Sequence, residues 1–547
     1  MLKNGLGDSH EATVQSVASE FTVGSVKIQE ITDYFVKQIR HGLKDKHAYQ
    51  IPSFVTQIPN GREKGLFLAV DLGGTNCRVC AVKLHGDSTL NVFQRKHLVP
   101  ADIRVNSSHR PLFQFIALKI KELLEEQKGA GVSDQSEAIF SLGFTFSFTC
   151  EQTSISRGTL VHWDKGWDIP STLGQDPCAL LQEAIDEISL PVRVCVLAND
   201  AVGTLLARAY ASKTKSSTVA SIILGTGTNA AYVERISNIR RLHTETDGPL
   251  GAQKDEVMVI NTEWGSWDDG LTVLPHTRFD KLVDESSSDP GCGLLEKMVS
   301  GMYLGELMRL VLLELMRDGA LDMSFRESSP VHCQMGIESA FLTKIAQLGS
   351  VDAQAALSYV ADTLAATDVT PEDLRAVQML ATAIVQRSAR LVGAGLAAII
   401  IQTGRLGIAS STQKPATETH AHEIHKKPTR DHSISPRASF FRFIRRIFGC
   451  MRPQEPLPIS TSESSYDSRD TLETSPVLDE VIGIAVDGSL FEFHTAFESL
   501  MRTALRDVQE IGNVKEARIK IELTRDGSGT GAALIAAAES QHKHIET

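Results

Sequence analysis

The chain has 547 residues, 42% of them apolar and 22% charged, more than one hydrophobic core usually organises, and the composition excludes a collagen-like, wholly disordered or disulfide-scaffold protein. Its formal net charge of −12 makes the chain as a whole a poor polyanion binder, so no direct nucleic-acid binding is expected. The eight cysteines are scattered like the reduced thiols of a cytoplasmic protein, and the start, MLKNGLGDSHEATVQS, has no apolar signal core.

In chain order, residues 12–45 read as helix and IPSFVTQIP enters a β-rich region. LFLAVDL (66–72) and CRVCAVKL (77–84) read as strands, FQFIALKIKELLEEQ (113–127) as helix, and SEAIFSLGFTFSF and VRVCVLA as further strands. Strand–strand–helix–strand–helix is an α/β order. Beyond Ala201 it recurs, with strands VASIILG, AAYVERI and EVMVI, then helices through GLLEKMVSGMYLGELMRLVLLELM and from Leu374 to Ile401. From about Thr403 to Pro476 the chain turns to Ser, Thr, Pro, His and Arg, and a stretch of that length reads as an inserted disordered segment. Folded character returns at VIGIAVDGSLFEF and ends in RDGSGTGAALIAAAES. Cys77 and Cys80 form one CxxC, but they fall on opposite faces of a strand, so no metal site is expected there.

LFLAV-DLGGTN-CRVCAV (66–82) and VASIIL-GTGTN-AAYVE (219–234) share one form: an apolar strand, a Gly/Thr turn ending in Thr-Asn, then an alternating strand. The echo suggests a duplicated domain with a cleft between the copies. A glycine turn between strands exposes backbone N–H groups that can cradle phosphate oxygens; a single one is equally plain hairpin geometry, but the pair is reinforced by DGS at 487–489 and DGSGTG at 526–531. No GxxxxGK[ST] occurs, which excludes a P-loop. Gly225-Thr226-Gly227-Thr228-Asn229-Ala230 matches GxGxxA, but a dinucleotide fingerprint must open a helix and AAYVERI alternates like a strand.

These motifs resemble the hexokinase family of the actin-like sugar kinase superfamily, over residues 12–402 and 480–540. LAVDLGGTNCRV and LGTGTNAAYVE resemble its two phosphate motifs, LGFTFSFTCEQ, SISRGTLVHWDKGWDIP, INTEWGSW and DPGCGLLEKMVSGMYLGE its sugar segments, LANDAVGTLLA its catalytic-base motif, and IAVDGSLFEFH its adenosine-side motif. The resemblance implies a duplicated actin-like ATPase (ribonuclease H-like) fold with two lobes. The expected division is an N-terminal region with the small lobe (12–200), a large lobe (201–403), the insert (404–479) and the rest of the catalytic domain (480–545). It also implies transfer of the ATP γ-phosphoryl group, with Mg²⁺, to the 6-hydroxyl of a hexose such as glucose.

Carried over residue by residue, Asp200 becomes the base and Lys165 a second catalytic group. Ser147, Asp164, Lys165, Asn199, Asp200, Asn229, Glu263 and Glu296 become the sugar set. Asp71, Gly73, Gly74, Thr75, Asn76, Arg78, Gly225, Thr226, Gly227, Thr228, Gly488 and Ser489 line the nucleotide, Asp71 facing Mg²⁺ through water; Arg78 fits a structural ion pair as well as a phosphate contact.

The sequence departs from the family pattern around the sugar. Asp164 stands for Thr, Gly293 for Gln, Thr149 for Pro, Ser266-Trp267 for Ala-Phe, Ala201 for Thr and Cys77 for Phe. Two readings follow: an active hexose kinase, and a hexokinase-like regulator that binds glucose and ATP without useful turnover, resembling the atypical hexokinases of filamentous fungi. Within the insert, SPRASFFRFIRRIFGCMRP (435–453) reads as a basic amphipathic helix for a membrane surface or protein partner. The expected location is cytoplasmic, with nuclear or organelle-surface association through that segment.

Overall fold

The apolar runs pair into two large sheets in a computed structural model that describes residues 3–129, 139–163, 166–212, 218–242, 256–348, 352–407 and 481–545. The strands in chain order are β1 (Ile51–Pro52), β2 (Lys64–Gly73), β3 (Asn76–His85), β4 (Leu90–Leu98), β5 (Phe140–Phe146), the hairpin β6 (Cys150–Ser154) and β7 (Arg157–Leu160), and β8 (Val192–Ala198). They continue with β9 (Thr218–Leu224), β10 (Thr228–Arg235), β11 (Val257–Asn261), the short pair β12 (Ser324–Phe325) and β13 (Ala366–Thr367), β14 (Ile482–Asp487) and β15 (Ile519–Leu523).

The first sheet runs β4-β3-β2-β5-β8 and the second β1-β11-β10-β9-β14-β15. In the first, β4, β3 and β2 are antiparallel and β5 and β8 add in parallel. With β1 set aside, the second repeats this: β11, β10 and β9 antiparallel, β14 and β15 parallel. The echo in the sequence is therefore a duplicated topology, and the turns Gly73–Asn76 and Leu224–Thr228 occupy equivalent hairpins.

Each last strand leads into a helix, Asp200–Ala211 after β8 and Gly527–Ile545 after β15. Both lie between the sheets, in a core made of Ala69, Cys80 and Val82 from one sheet, Ala231, Val233 and Val259 from the other, and Val202, Leu205 and 532–537 from the helices. Their approach requires glycine. A Cβ on Gly531 would lie 2.0 Å from the Gly203 carbonyl oxygen, and one on Gly143 of β5 would lie 2.3 Å from that of Ala532.

The outer face of the first sheet, with Leu68, Val70 and Val79, packs on the helices Arg110–Gly129 and Pro177–Glu187. The outer face of the second packs on Ser25–Lys44, Phe497–Asp507 and the long helix Pro371–Thr403. That helix opens with Pro371 behind a Thr370/Asp373 capping box and ends at left-handed Gly404. It is long and apolar enough to cross a membrane, yet 89% of its apolar window is buried inside the protein, as in a core helix. Leu406 is also buried, so the folded body runs to Gly407.

The two-lobed α/β fold is the one expected, with local corrections. Residues 12–45 form two helices, Lys3–Glu20 and Ser25–Lys44, because Gly24 breaks the run with an extended backbone. The first contributes to the larger body rather than to the first sheet, as Val14 and Val17 show. IPSFVTQIP supplies only the two residues of β1. Strand β4 was not expected, because LNVFQRKHL is a mostly exposed edge without an apolar run. The helix expected over 293–316 breaks at Ser300 into Leu294–Val299 and Gly301–Arg317. Cys77 and Cys80 face different cores, and every cysteine among the described residues is free. The insert, from residue 408, and its segment 435–453 lie outside the described residues.

Candidate active site

The two glycine hairpins are each held by neighbouring segments. In the first, Gly73 and Asn76 pair across a tight turn with Gly74 at φ +58°, and Thr75 is exposed at its tip. A Cβ on Gly73 would meet Ser147 Oγ at 3.2 Å, which places Ser147 against this hairpin. The Trp167 indole N–H donates to the Gly74 carbonyl, tying the segment SISRGTLVHWDKGWDIP to the same turn. In the second hairpin, the carbonyls of Gly225 and Thr226 accept from the N–H groups of Gly301 (2.9 Å) and Met302 (3.0 Å). Gly488, at φ +131°, crosses so closely that a Cβ there would lie 2.2 Å from the Leu224 carbonyl oxygen. Gly225, Thr226, Gly227, Thr228, Gly488 and Ser489 are thus one neighbourhood.

Asp200 begins the helix after β8 and is half-buried; Asn199 caps it, its side-chain oxygen accepting the Ala201 N–H at 2.8 Å. The capped N-terminus places positive potential beside the Asp200 carboxylate. Near Asp200 lies an acidic group. Asp71 is partly buried on β2 and accepts from Ser528 Oγ at 2.8 Å; desolvation pushes its carboxyl up, with Arg78 and Ser528 opposing that and the charges of Asp200 and Asp526 adding to it. Asp487, at the end of β14, is pushed up to about 6, again first by burial. Arg78 pairs with Asp526 at 2.8 Å and lies 3.9 Å from Asp71, so its charge is engaged within the protein. Three carboxylates sharing one arginine leave an excess of negative charge that a cation would offset, and this fits Mg²⁺ held largely through water. No group of three or more His, Cys, Asp or Glu side chains with metal-ligand placement occurs among the described residues.

Asn199, next to Asp200, joins a network of amides and carboxylates. Asn229 Nδ2 reaches Asn261 Oδ1 at 2.9 Å, Asn199 Oδ1 at 3.2 Å and Glu263 Oε1 at 3.4 Å. Glu263 sits at φ +47°, a left-handed backbone that an ordinary side chain rarely adopts and that costs roughly 1 kcal/mol or more. Glu296 Oε2 accepts the Thr228 N–H at 2.8 Å, joining this network to the second hairpin. Asn199, Asp200, Asn229, Glu263 and Glu296 are therefore brought together, while Asp164 and Lys165 lie outside the described residues. They are flanked by Trp163 and Trp167, which stack with ring centroids 5.4 Å apart against Phe146 and Phe148.

Gly293, the position of the expected glutamine, sits at φ +65° before the helix carrying Glu296. Its N–H and that of Leu294 donate to Asp269, whose carboxyl burial pushes up to about 7. Glycine suits this backbone, and a glutamine would be strained in it. Trp267 is fully buried against Phe35, with no partner for its indole N–H. Residue-by-residue reading passed over Asn261, Asp487, Asp526 and Ser528, although the repeated Asp-Gly-Ser at 487–489 and 526–528 pointed to the last three.

Comparison with known proteins agrees. Hexokinase family models match residues 13–210 and, in a second model, 219–435 and 459–538. A glucokinase of Aspergillus niger is 36% identical, over 96% of this chain and 97% of its own length, and Glucokinase-1 of Saccharomyces cerevisiae is 32% identical, over 97% and 99%. The hexokinase of Schistosoma mansoni, solved in complex with glucose, superposes with a TM-score of 0.73 at 30% identity, covering 97% of this chain and 99% of that one. With its repeated sheet topology and its paired hairpins, the chain belongs to the hexokinase family.

Proposed function

We propose that this chain is an ATP-dependent hexose 6-phosphotransferase acting on glucose. The observation that carries the reading is the placement of Asp200: a capped helix start whose Asn199 joins the network of amides and carboxylates tied to the second hairpin, with the acidic group of Asp71 and Asp487 close by. The name and full-length similarity of the Aspergillus niger glucokinase support the same reading. Asn199, Asn229, Glu263 and Glu296 hold the sugar hydroxyls, and Asp200 accepts the 6-hydroxyl proton as its oxygen attacks the γ-phosphorus. Main-chain N–H groups of the two hairpins hold the phosphate oxygens, and Gly488-Ser489 lies on the adenosine side. Asp71, with Asp487 and Asp526 nearby, would hold the Mg²⁺ that accompanies ATP through its water shell. When bound, Mg²⁺ neutralises charge on the terminal phosphates. Closure of the lobes over sugar excludes water, and positioning with charge stabilisation supplies most of the rate.

The test is coupled ADP release with glucose, fructose and mannose on purified protein. Turnover falls by about 10²–10⁴-fold in Asp200→Ala, with little change in KM for ATP. Wild-type turnover indistinguishable from that variant overturns the reading. The regulator alternative draws support from no further observation.

A further inference from the structure

We propose that Asn261 is a positioning residue for the sugar end of the site, a role that rests on the kinase reading above. Asn261 ends β11, is 6% exposed, and faces Ala231 of β10 across the ladder. Its side chain makes two bonds of opposite sense. The Asn261 Oδ1 accepts from Asn229 Nδ2 at 2.9 Å, and the Asn261 Nδ2 donates to Glu263 Oε1 at 2.8 Å. The orientation is forced. A carboxylate only accepts, so the amide nitrogen of Asn261 must face Glu263 and its oxygen must face Asn229. Asn229 is fixed in turn, because its own oxygen accepts the Ala230 N–H at 2.7 Å. One amide therefore sets the separation of two sugar-facing groups that arrive from different segments.

The backbone explains why such a clasp is needed. Glu263 holds a left-handed φ of +47° at the entry to the short helix Trp264–Ser266, and that helix start has no side-chain cap. Relaxation of this residue toward an ordinary conformation would swing its carboxylate away from Asn229. The bond from Asn261, two residues earlier on a rigid strand, opposes that swing. Asn261 touches no reacting atom in this arrangement. It acts through Glu263 and Asn229, so its effect falls on sugar affinity and on turnover with sugar, and not on the nucleotide.

The experiment compares wild type, Asn261→Ala and Asn261→Asp by steady-state kinetics with glucose and ATP, by calorimetric glucose titration and by thermal melting. Asn261→Ala raises KM for glucose about tenfold and leaves KM for ATP unchanged. Asn261→Asp keeps the acceptor for Asn229 but sets a second carboxylate against Glu263, so at pH 7.5 it loses more than the alanine variant. Two adjacent carboxylates hold one proton well above the usual range, and that proton restores a donor. The deficit of Asn261→Asp therefore shrinks as pH falls toward 5.5, while that of Asn261→Ala does not.

A lowered melting temperature with wild-type KM and kcat for glucose, in either variant, overturns the positioning role and leaves the kinase reading intact. A pH-independent deficit in the aspartate variant also overturns it. If the aspartate variant does not fold, the alanine variant's split between glucose and ATP KM decides alone. Wild-type protein that neither binds nor phosphorylates a hexose overturns the kinase reading and this inference together.

Discussion

At the end of β14, the Asp487 carboxyl is held at about 6, burial being the largest cause, with a hydrogen bond from the Gly527 backbone opposing it and the charges of Asp526 and Asp200 adding to it. The folded-state value lies above that of an unfolded aspartate, so the folded protein binds this proton more tightly. Stability consequently falls as pH rises from about 4 to about 6, and the penalty is fully present above that window. Asp487→Asn keeps an acceptor for the Gly527 N–H and removes the charge. Its melting temperature exceeds wild type at pH 7.5, by the equivalent of roughly 1–3 kcal/mol, and the gain vanishes below about pH 4. Equal melting curves at both pH values would show that the charge is not buried. On the proposed function the same variant should also weaken Mg·ATP binding, because it removes one of the carboxylates that would meet the cation, and a nucleotide titration with Mg²⁺ checks this. Residues such as Asp200, Asn229 and Glu296 were legible because each sits inside an ordered string of neighbours. Asn261 was not, since VMVIN reads as core strand and its bond to Asn229 crosses from β11 to β10, a pairing no local pattern encodes.

Among the elements, the crossing of the helices Asp200–Ala211 and Gly527–Ile545 decides where Asp200, the proposed base, sits. Gly203 and Gly531 let the two backbones touch, and any side chain at Gly531 would collide with backbone rather than with a flexible side chain. Gly531→Ala should destabilise the protein by about 1–3 kcal/mol, since the helices must separate. It should also lower kcat more than KM, because Asp200 rides on the displaced helix start. A melting curve and steady-state kinetics check both; unchanged turnover would mean that the crossing does not position the base. The strands β2, β3, β5, β8, β9 and β10 were readable from their apolar runs. Strand β4 was hidden by its exposure, and the break at Gly24 by continuous apolar periodicity on either side. The glycines of GSGTGAALIAAA looked like a phosphate turn, and they open a helix whose small residues serve packing between two sheets.

For the whole molecule, the insert separates two parts of one sheet: β9 precedes it, β14 follows it, and the two pair in parallel. Deleting 410–478 should preserve melting temperature and glucose phosphorylation within about twofold, because a longer connection costs only slowly growing closure entropy. A tagged deletion protein should move from surface-associated to diffuse cytoplasmic distribution if 435–453 is an anchor; an unchanged distribution would dismiss that role.

The helix Gly527–Ile545 closes a part of the fold that lies far earlier in the chain. It fills the space under the first sheet, whose strands leave the ribosome hundreds of residues earlier, with Ala532–Ala537 against β2 and β5. Without residues 527–545 the inner face of that sheet loses its cover, and the helix Asp200–Ala211 keeps only the second sheet as a neighbour on that side. A chain truncated before Gly527 therefore leaves Ala69, Cys80 and Val82 uncovered on the inner face of the first sheet, and it should bind a hydrophobic dye that the intact fold excludes.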